Sequence, residues 1–165
     1  MIRRHHVVTL SSVAGVLAII VSSLPVAPLL VWNASDSAPL GLYAVRHRQA
    51  LVRGDYVLLT LPLCWRDFAA ARSYLPHYAP IIKPVAALPG DKVCSIERRI
   101  TINDETVATA YSVDQKRQPM PRWSGCRILA SDEVFLLGAH PASFDGRYFG
   151  VMSMSGILGR AQKLF

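Results

Sequence analysis

Two serines, Ser35 and Ser37, stand two apart in the segment Asn33-Ala34-Ser35-Asp36-Ser37-Ala38-Pro39-Leu40-Gly41-Leu42-Tyr43, and much later in the chain Lys83 sits inside the apolar stretch Ile81-Ile82-Lys83-Pro84-Val85. A serine hydroxyl is a weak nucleophile at neutral pH and needs a base to take its proton. A lysine serves only if its pKa, ordinarily about 10.4, falls towards neutrality, and burial among apolar groups does this by disfavouring the ammonium. Ser37 and Lys83 are therefore a candidate nucleophile and base. Each also has an ordinary explanation. Serines ahead of a Pro and a Gly suit a polar turn, and a strand lysine can lay its stem on apolar surface with its head in water. Lys83 is one of only four lysines, and the five histidines (His5, His6, His47, His77, His140) form no motif that offers another base.

The elements that must carry these groups belong to one domain behind an apolar run. The chain has 165 residues, 52% hydrophobic and 18% charged, which leaves room for one domain and excludes a disordered chain. Residues 7–32 carry no charge and follow Arg3 and Arg4. That length crosses a ~30 Å hydrocarbon core as a helix, and the Arg pair holds residues 1–6 in the cytoplasm with 33–165 on the far side of the membrane. The alternative is a cleaved signal segment, although the run is longer than such signals need and Ala27 precedes a proline. All 11 acidic residues follow Ser35. The net charge of +7 comes mostly from arginines scattered singly and in pairs, so no nucleic-acid partner is expected.

Beyond the run, Gly41–Val45, Tyr56–Leu61, Ile81–Leu88, Lys92–Ile96, Ile100–Ile102 and Glu133–Leu137 read as strands bounded by turn residues. Trp65–Leu75 reads as a helix ended by Pro76, inserted into a mainly β domain. Of the three cysteines, Cys94 and Cys126 are expected as a disulfide, with a pair of buried thiols as the alternative, and Cys64 is left free. There is no CxxC and no histidine at ligand spacing, so neither a metal nor a cofactor is expected.

Taken in order, the Ser-x-Ser-x-Pro segment after the apolar run, Arg53-Gly54-Asp55-Tyr56-Val57-Leu58-Leu59, Lys83-Pro84-Val85 with Leu88-Pro89-Gly90-Asp91-Lys92-Val93, and Ser143-Phe144-Asp145-Gly146-Arg147-Tyr148-Phe149-Gly150 resemble the boxes of the type I signal peptidases. The Pro39-Leu40-Gly41-Leu42-Tyr43 tail and Tyr74-Leu75-Pro76 make the closer likeness the TraF-type peptidases of conjugative transfer. The match runs from Asn33 to about Gly150. It implies a coiled β-sheet fold, Ser37 as nucleophile, Lys83 as general base, the Ser35 hydroxyl and the Ser37 N–H as the oxyanion hole, and Asp145 with Arg147 as a supporting charged pair. Gly90 and Asp91 are read as shaping the turn after the lysine strand. The chain departs from the family pattern at Ala38, usually Met, at Gly138-Ala139-His140, usually Gly-Asp-Asn, and at Gly146, usually a serine that hydrogen-bonds the lysine. Water or Ser143 are the candidates to replace that hydroxyl.

The expected reaction is attack of Ser37 on a carbonyl that follows small residues of an exported peptide, lying as an added strand along Leu40, Gly41, Leu42 and Tyr43. The resemblance implies a pilin-like precursor as substrate, other conjugation proteins as partners, an inner-membrane location with a periplasmic catalytic domain or a released periplasmic form, and in parts of that branch a circular product. Two rivals remain: a general type I signal peptidase, and a non-catalytic envelope assembly protein on the same scaffold, suggested by Gly146.

Overall fold

The computed structural model describes residues 30–35, 38–47 and 50–165, together with Gly15. Most of the expected anchor at 7–32 and the candidate nucleophile Ser37 lie outside the described residues. Leu30–Trp32, the last three residues of the uncharged run, belong to a strand and not to a continuing helix. Among the described residues no helix is long and apolar enough to cross a membrane.

The domain is mainly β. Strands β1 (Leu30–Asn33), β2 (Gly41–Arg46), β3 (Tyr56–Leu59) and β4 (Ile81–Ala87) belong to one sheet together with β9 (Glu133–Leu136), β10 (Met152–Ser153) and β11 (Ile157–Lys163). Its order is β1-β2-β11-β3-β4-β9-β10. A second sheet, in the order β7-β6-β5-β8, contains β5 (Lys92–Ile96), β6 (Arg99–Ile102), β7 (Glu105–Thr109) and β8 (Gly125–Ile128). The chain passes from β4 to β5 through the Leu88–Asp91 turn. There Asp91 accepts the Leu88 N–H at 2.8 Å and the Asn103 amide at 2.9 Å, and Arg53 pairs with it. Gly90 takes the left-handed backbone that this turn requires (φ 89°), so Gly90 and Asp91 have the turn-shaping place expected of them.

β3 and β4 are almost wholly buried, as strands covered on both faces are. Val57, Leu59, Ile81, Val85, Val134 and Leu136 form one core cluster; Tyr43, Val45, Leu58, Ile82 and Ala161 form another on the opposite face. Each fully buried side chain of this size contributes about 1.5–3 kcal/mol of transfer free energy. A third cluster, built on Ala87, Val93, Ile100, Leu129 and Phe135, joins the two sheets.

Helix α1 (Leu63–Ala71) connects β3 to β4. It starts directly after Pro62 and ends four residues before the expected Leu75, because Ser73 adopts a left-handed conformation (φ 58°). Its Trp65 packs on the first core cluster and its Phe68 on Ala110, Met120 and Tyr148. A second, four-residue helix α2 spans Gly146–Phe149. Cys94 and Cys126 are cross-strand partners of β5 and β8 and form the disulfide, while Cys64 is free and exposed.

Candidate active site

Lys83 lies in the middle of β4, opposite Val57 of β3, and its side chain is buried. Burial pulls its pKa down to about 8; the Asp145 carboxylate works against that pull and the Arg147 guanidinium adds to it. At about 1.4 kcal/mol per pKa unit, carrying the ammonium costs the fold about 3 kcal/mol below pH 8. The unfolded chain holds that proton more tightly between pH 8 and 10.5, so stability rises with pH across this window. The unprotonated amine is the form that can accept a proton, and the lowered pKa raises its share near neutral pH.

Lys83 Nζ donates a hydrogen bond to Ser143 Oγ at 2.7 Å, with both groups buried. Of the two candidates left open to replace the missing hydroxyl, this is Ser143. Gly146 has a separate reason to be glycine: a Cβ there would stand 2.6 Å from the Leu136 carbonyl oxygen and 2.6 Å from the Phe135 ring. No side chain fits, and the Gly146 carbonyl accepts the Trp123 indole N–H at 2.9 Å.

Asp145 and Arg147 clamp the loop that delivers Ser143. The Asp145 carboxylate accepts from Arg147 Nη1 at 2.6 Å, from the Gly138 N–H at 2.8 Å and, as cap of α2, from the Arg147 N–H at 3.1 Å. Arg147 Nη2 donates to the Gly138 carbonyl at 2.8 Å. Both side chains are buried. Burial raises the Asp145 pKa, and Arg147, Lys83 and the two backbone donors offset part of that rise. Charges this deep persist only when paired and hydrogen-bonded, which is what the loop supplies.

The serine segment is organised by a residue to which the sequence assigned no role. Asn33 is buried at the end of β1, and its amide nitrogen donates to the carbonyls of Ser35 (2.9 Å), Ala38 (2.9 Å) and Pro39 (3.2 Å). Its amide oxygen accepts from the Ser35 N–H and hydroxyl, at 3.3 and 3.0 Å. The only signal in the sequence was an Asn ahead of a Ser-x-Ser-x-Pro turn. Ser35 and Lys83 line the same cleft, together with Ser143.

The expected substrate strand is not available at Gly41–Tyr43. β1 pairs with one edge of β2 over Leu30–Asn33, and β11 occupies the other from Arg46 to Tyr43. Beyond β11, Leu164 donates to the Leu42 carbonyl at 2.8 Å and the Leu42 N–H donates to Phe165 at 3.3 Å. Both rows of backbone groups are used, so Gly41, Leu42 and Tyr43 form an interior strand, with Leu40 exposed just before it. A different edge is open. β9 pairs with β4 only at Val85 and Ala87, and Leu137 bonds Pro84; among the described residues no strand covers that side of β4 at Ile81–Lys83. Among the described residues no cluster of His, Cys, Asp or Glu is placed to hold a metal ion.

Comparison with known proteins finds relatives of the chain. Residues 3–165 match the family model for signal peptidase, peptidase S26. The chain is 34% identical over 143 residues to a conjugal transfer protein TraF of Agrobacterium fabrum, covering 81% of this chain and 80% of the relative. It is 31% identical over 156 residues to a plasmid transfer protein TraF of Escherichia coli, covering 88% and 87%. A crystal structure of a signal peptidase I from Enterococcus faecalis aligns at a TM-score of 0.40 and 19% identity, over 68% of this chain and 97% of that one.

Proposed function

The chain belongs to the signal peptidase family, peptidase S26, and on that premise we propose that it is a membrane-anchored serine endopeptidase that processes an exported precursor for conjugative transfer. The observation that carries this reading is the buried Lys83, its pKa lowered to about 8, with its amine held by Ser143 in the cleft that Ser35 also lines.

In this reading the neutral Lys83 amine takes the Ser37 hydroxyl proton as Ser37 attacks the scissile carbonyl. The tetrahedral oxyanion receives hydrogen bonds from the Ser35 hydroxyl and the Ser37 N–H. Lys83 then gives its proton to the leaving amine, and an acyl-enzyme remains on Ser37. Water, or an amine of the substrate itself, resolves it; the second route yields a ring. The peptide adds as a strand along the open side of β4 at Ile81–Lys83, which brings its backbone next to Lys83. Asp145 and Arg147 act on the loop that carries Ser143 and take no part in bond making. The relatives named for conjugal and plasmid transfer favour the company of other conjugation proteins, and a pilin-like precursor is the substrate that the resemblance to the TraF-type peptidases implies. The uncharged run ahead of β1, residues 7–29, is proposed as an inner-membrane anchor with the catalytic domain in the periplasm.

Ser37→Ala and Lys83→Ala test the dyad. In cells carrying the conjugation apparatus, each variant is expected to leave the precursor uncut and to lower plasmid transfer by orders of magnitude, with the protein present at parental levels. Precursor processed at the parental rate by both folded variants refutes the assignment. Mass spectrometry of the product separates the two outcomes of deacylation, because a ring is lighter than the hydrolysed chain by one water.

A further inference from the structure

The cleft that holds Lys83 and Ser143 continues well past them. Its volume is about 580 Å³, within the span of about 300–1,000 Å³ common to ligand pockets and far more than small residues beside a scissile bond need. The additional wall comes from two segments outside the four motifs. Tyr74 and Leu75 leave α1, and Val113 and Met120 belong to the connection between β7 and β8; Phe144, just before α2, and Tyr148, within it, meet them.

This wall is braced and not loose. The connection closes on itself through a Val113–Pro119 bridge and a Met120 N–H bond to Ser112 at 2.8 Å. Asp114 fastens it to the end of α1: it accepts the Tyr74 hydroxyl, faces Arg72 Nη1 at 3.4 Å, and accepts the Lys116 and Gln118 N–H groups at 2.8 Å each. Arg72 Nη2 donates to the Pro119 carbonyl at 2.8 Å. At the back, Phe144 stacks on Phe68 of α1 with ring centroids 5.6 Å apart and meets Tyr74 at 5.7 Å. Phe144 adjoins Ser143, the residue that holds Lys83. The charged groups at the rim are engaged within the wall: Asp114 as above, and Lys116 Nζ with the Arg72 carbonyl at 3.2 Å. Most of what the space offers a ligand is aromatic and aliphatic surface.

We propose that the α1 exit and the 111–120 connection build a substrate subsite that takes one bulky apolar or aromatic side chain of the peptide, away from the small residues at the scissile bond. The proposal rests on the peptidase reading, since the occupant is the peptide whose carbonyl lies beside Lys83. The helical insertion is then a specificity element.

The test uses full-length protein in detergent and a fluorophore-labelled synthetic peptide in which a single Phe is walked through an Ala- and Ser-based sequence on either side of an Ala–Ala bond. Binding is measured with the Ser37→Ala variant and cleavage with the parental enzyme. At one position Phe is expected to tighten binding about 10- to 100-fold over Ala. Val113→Trp and, separately, Gln115→Trp fill the cleft from exposed positions and are expected to erase most of that preference. Val107→Trp, on β7 outside the cleft, keeps it. A flat response to Phe at every position, or a preference that survives both filling variants, overturns the subsite. Peptides that bind with the Phe preference but are never cut support the subsite while removing the peptidase reading; peptides cut with no Phe preference do the reverse.

Discussion

Lys83 and Ser143 set the pH behaviour expected of the proposed reaction. A base with its pKa near 8 works only when unprotonated, so the rate of processing rises with pH through about 8 and then levels. The hydrogen bond from Lys83 Nζ to Ser143 favours the ammonium over the free amine. Its removal therefore lowers the lysine pKa and moves the acid limb to lower pH. Ser143→Ala is expected to show that displaced limb, together with a plateau about 100-fold lower because the amine is no longer aimed. A pH profile of kcat/KM on a labelled peptide reads both, and a limb left in place with an unchanged plateau removes Ser143 from the mechanism. Gly146 is the complementary case: its departure from the family pattern reflects packing against Phe135 and the Leu136 carbonyl, and the chemistry it was expected to lose is supplied three residues earlier.

Among the elements, the strands readable from sequence are those with buried apolar faces. β2, β3, β4, β5 and β9 begin where the pattern of Val, Ile, Leu and Tyr places them, because alternation and burial leave their trace in residue type. β7 and β8 are largely exposed and mix Thr, Val and Ile with Glu, Gly and Arg, so they lack the buried apolar face that marks those strands. β11 contains Gly159, Arg160 and Lys163, yet it lies between β2 and β3 and takes the edge on which the substrate was expected. Strand identity is local, whereas strand neighbours are set by closure of the whole sheet. β5 and β8 are also joined covalently, by Cys94–Cys126 across the ladder. Closing a loop of 32 residues removes about 3–4 kcal/mol of unfolded-state entropy on the chain model. Cys94→Ser is expected to lower the thermal midpoint by several degrees and to abolish the mobility shift on reduction. An unchanged midpoint would show that the bridge adds nothing to the sheet.

For the whole molecule, the proposed anchor makes a topological prediction that the chain can report with its own chemistry. Cys64 is the one free thiol among the described residues, and it is exposed at the start of α1. In spheroplasts with intact inner membranes, a membrane-impermeant maleimide is expected to label it without permeabilisation. Labelling that requires lysis reverses the orientation. From its residue types the chain by itself determined a mainly β domain behind an uncharged run, a lysine set within an apolar strand, and the order of four motifs that marks the family. These are local properties, written in periodicity and in which side chains tolerate burial. Only the tertiary structure decided that Ser143, 60 residues from Lys83, accepts its hydrogen bond, that Asn33 laces the serine turn, and that among the described residues β4 rather than β2 has an open edge. Each of these depends on which distant segments meet when the sheet closes, and no local pattern encodes that distance.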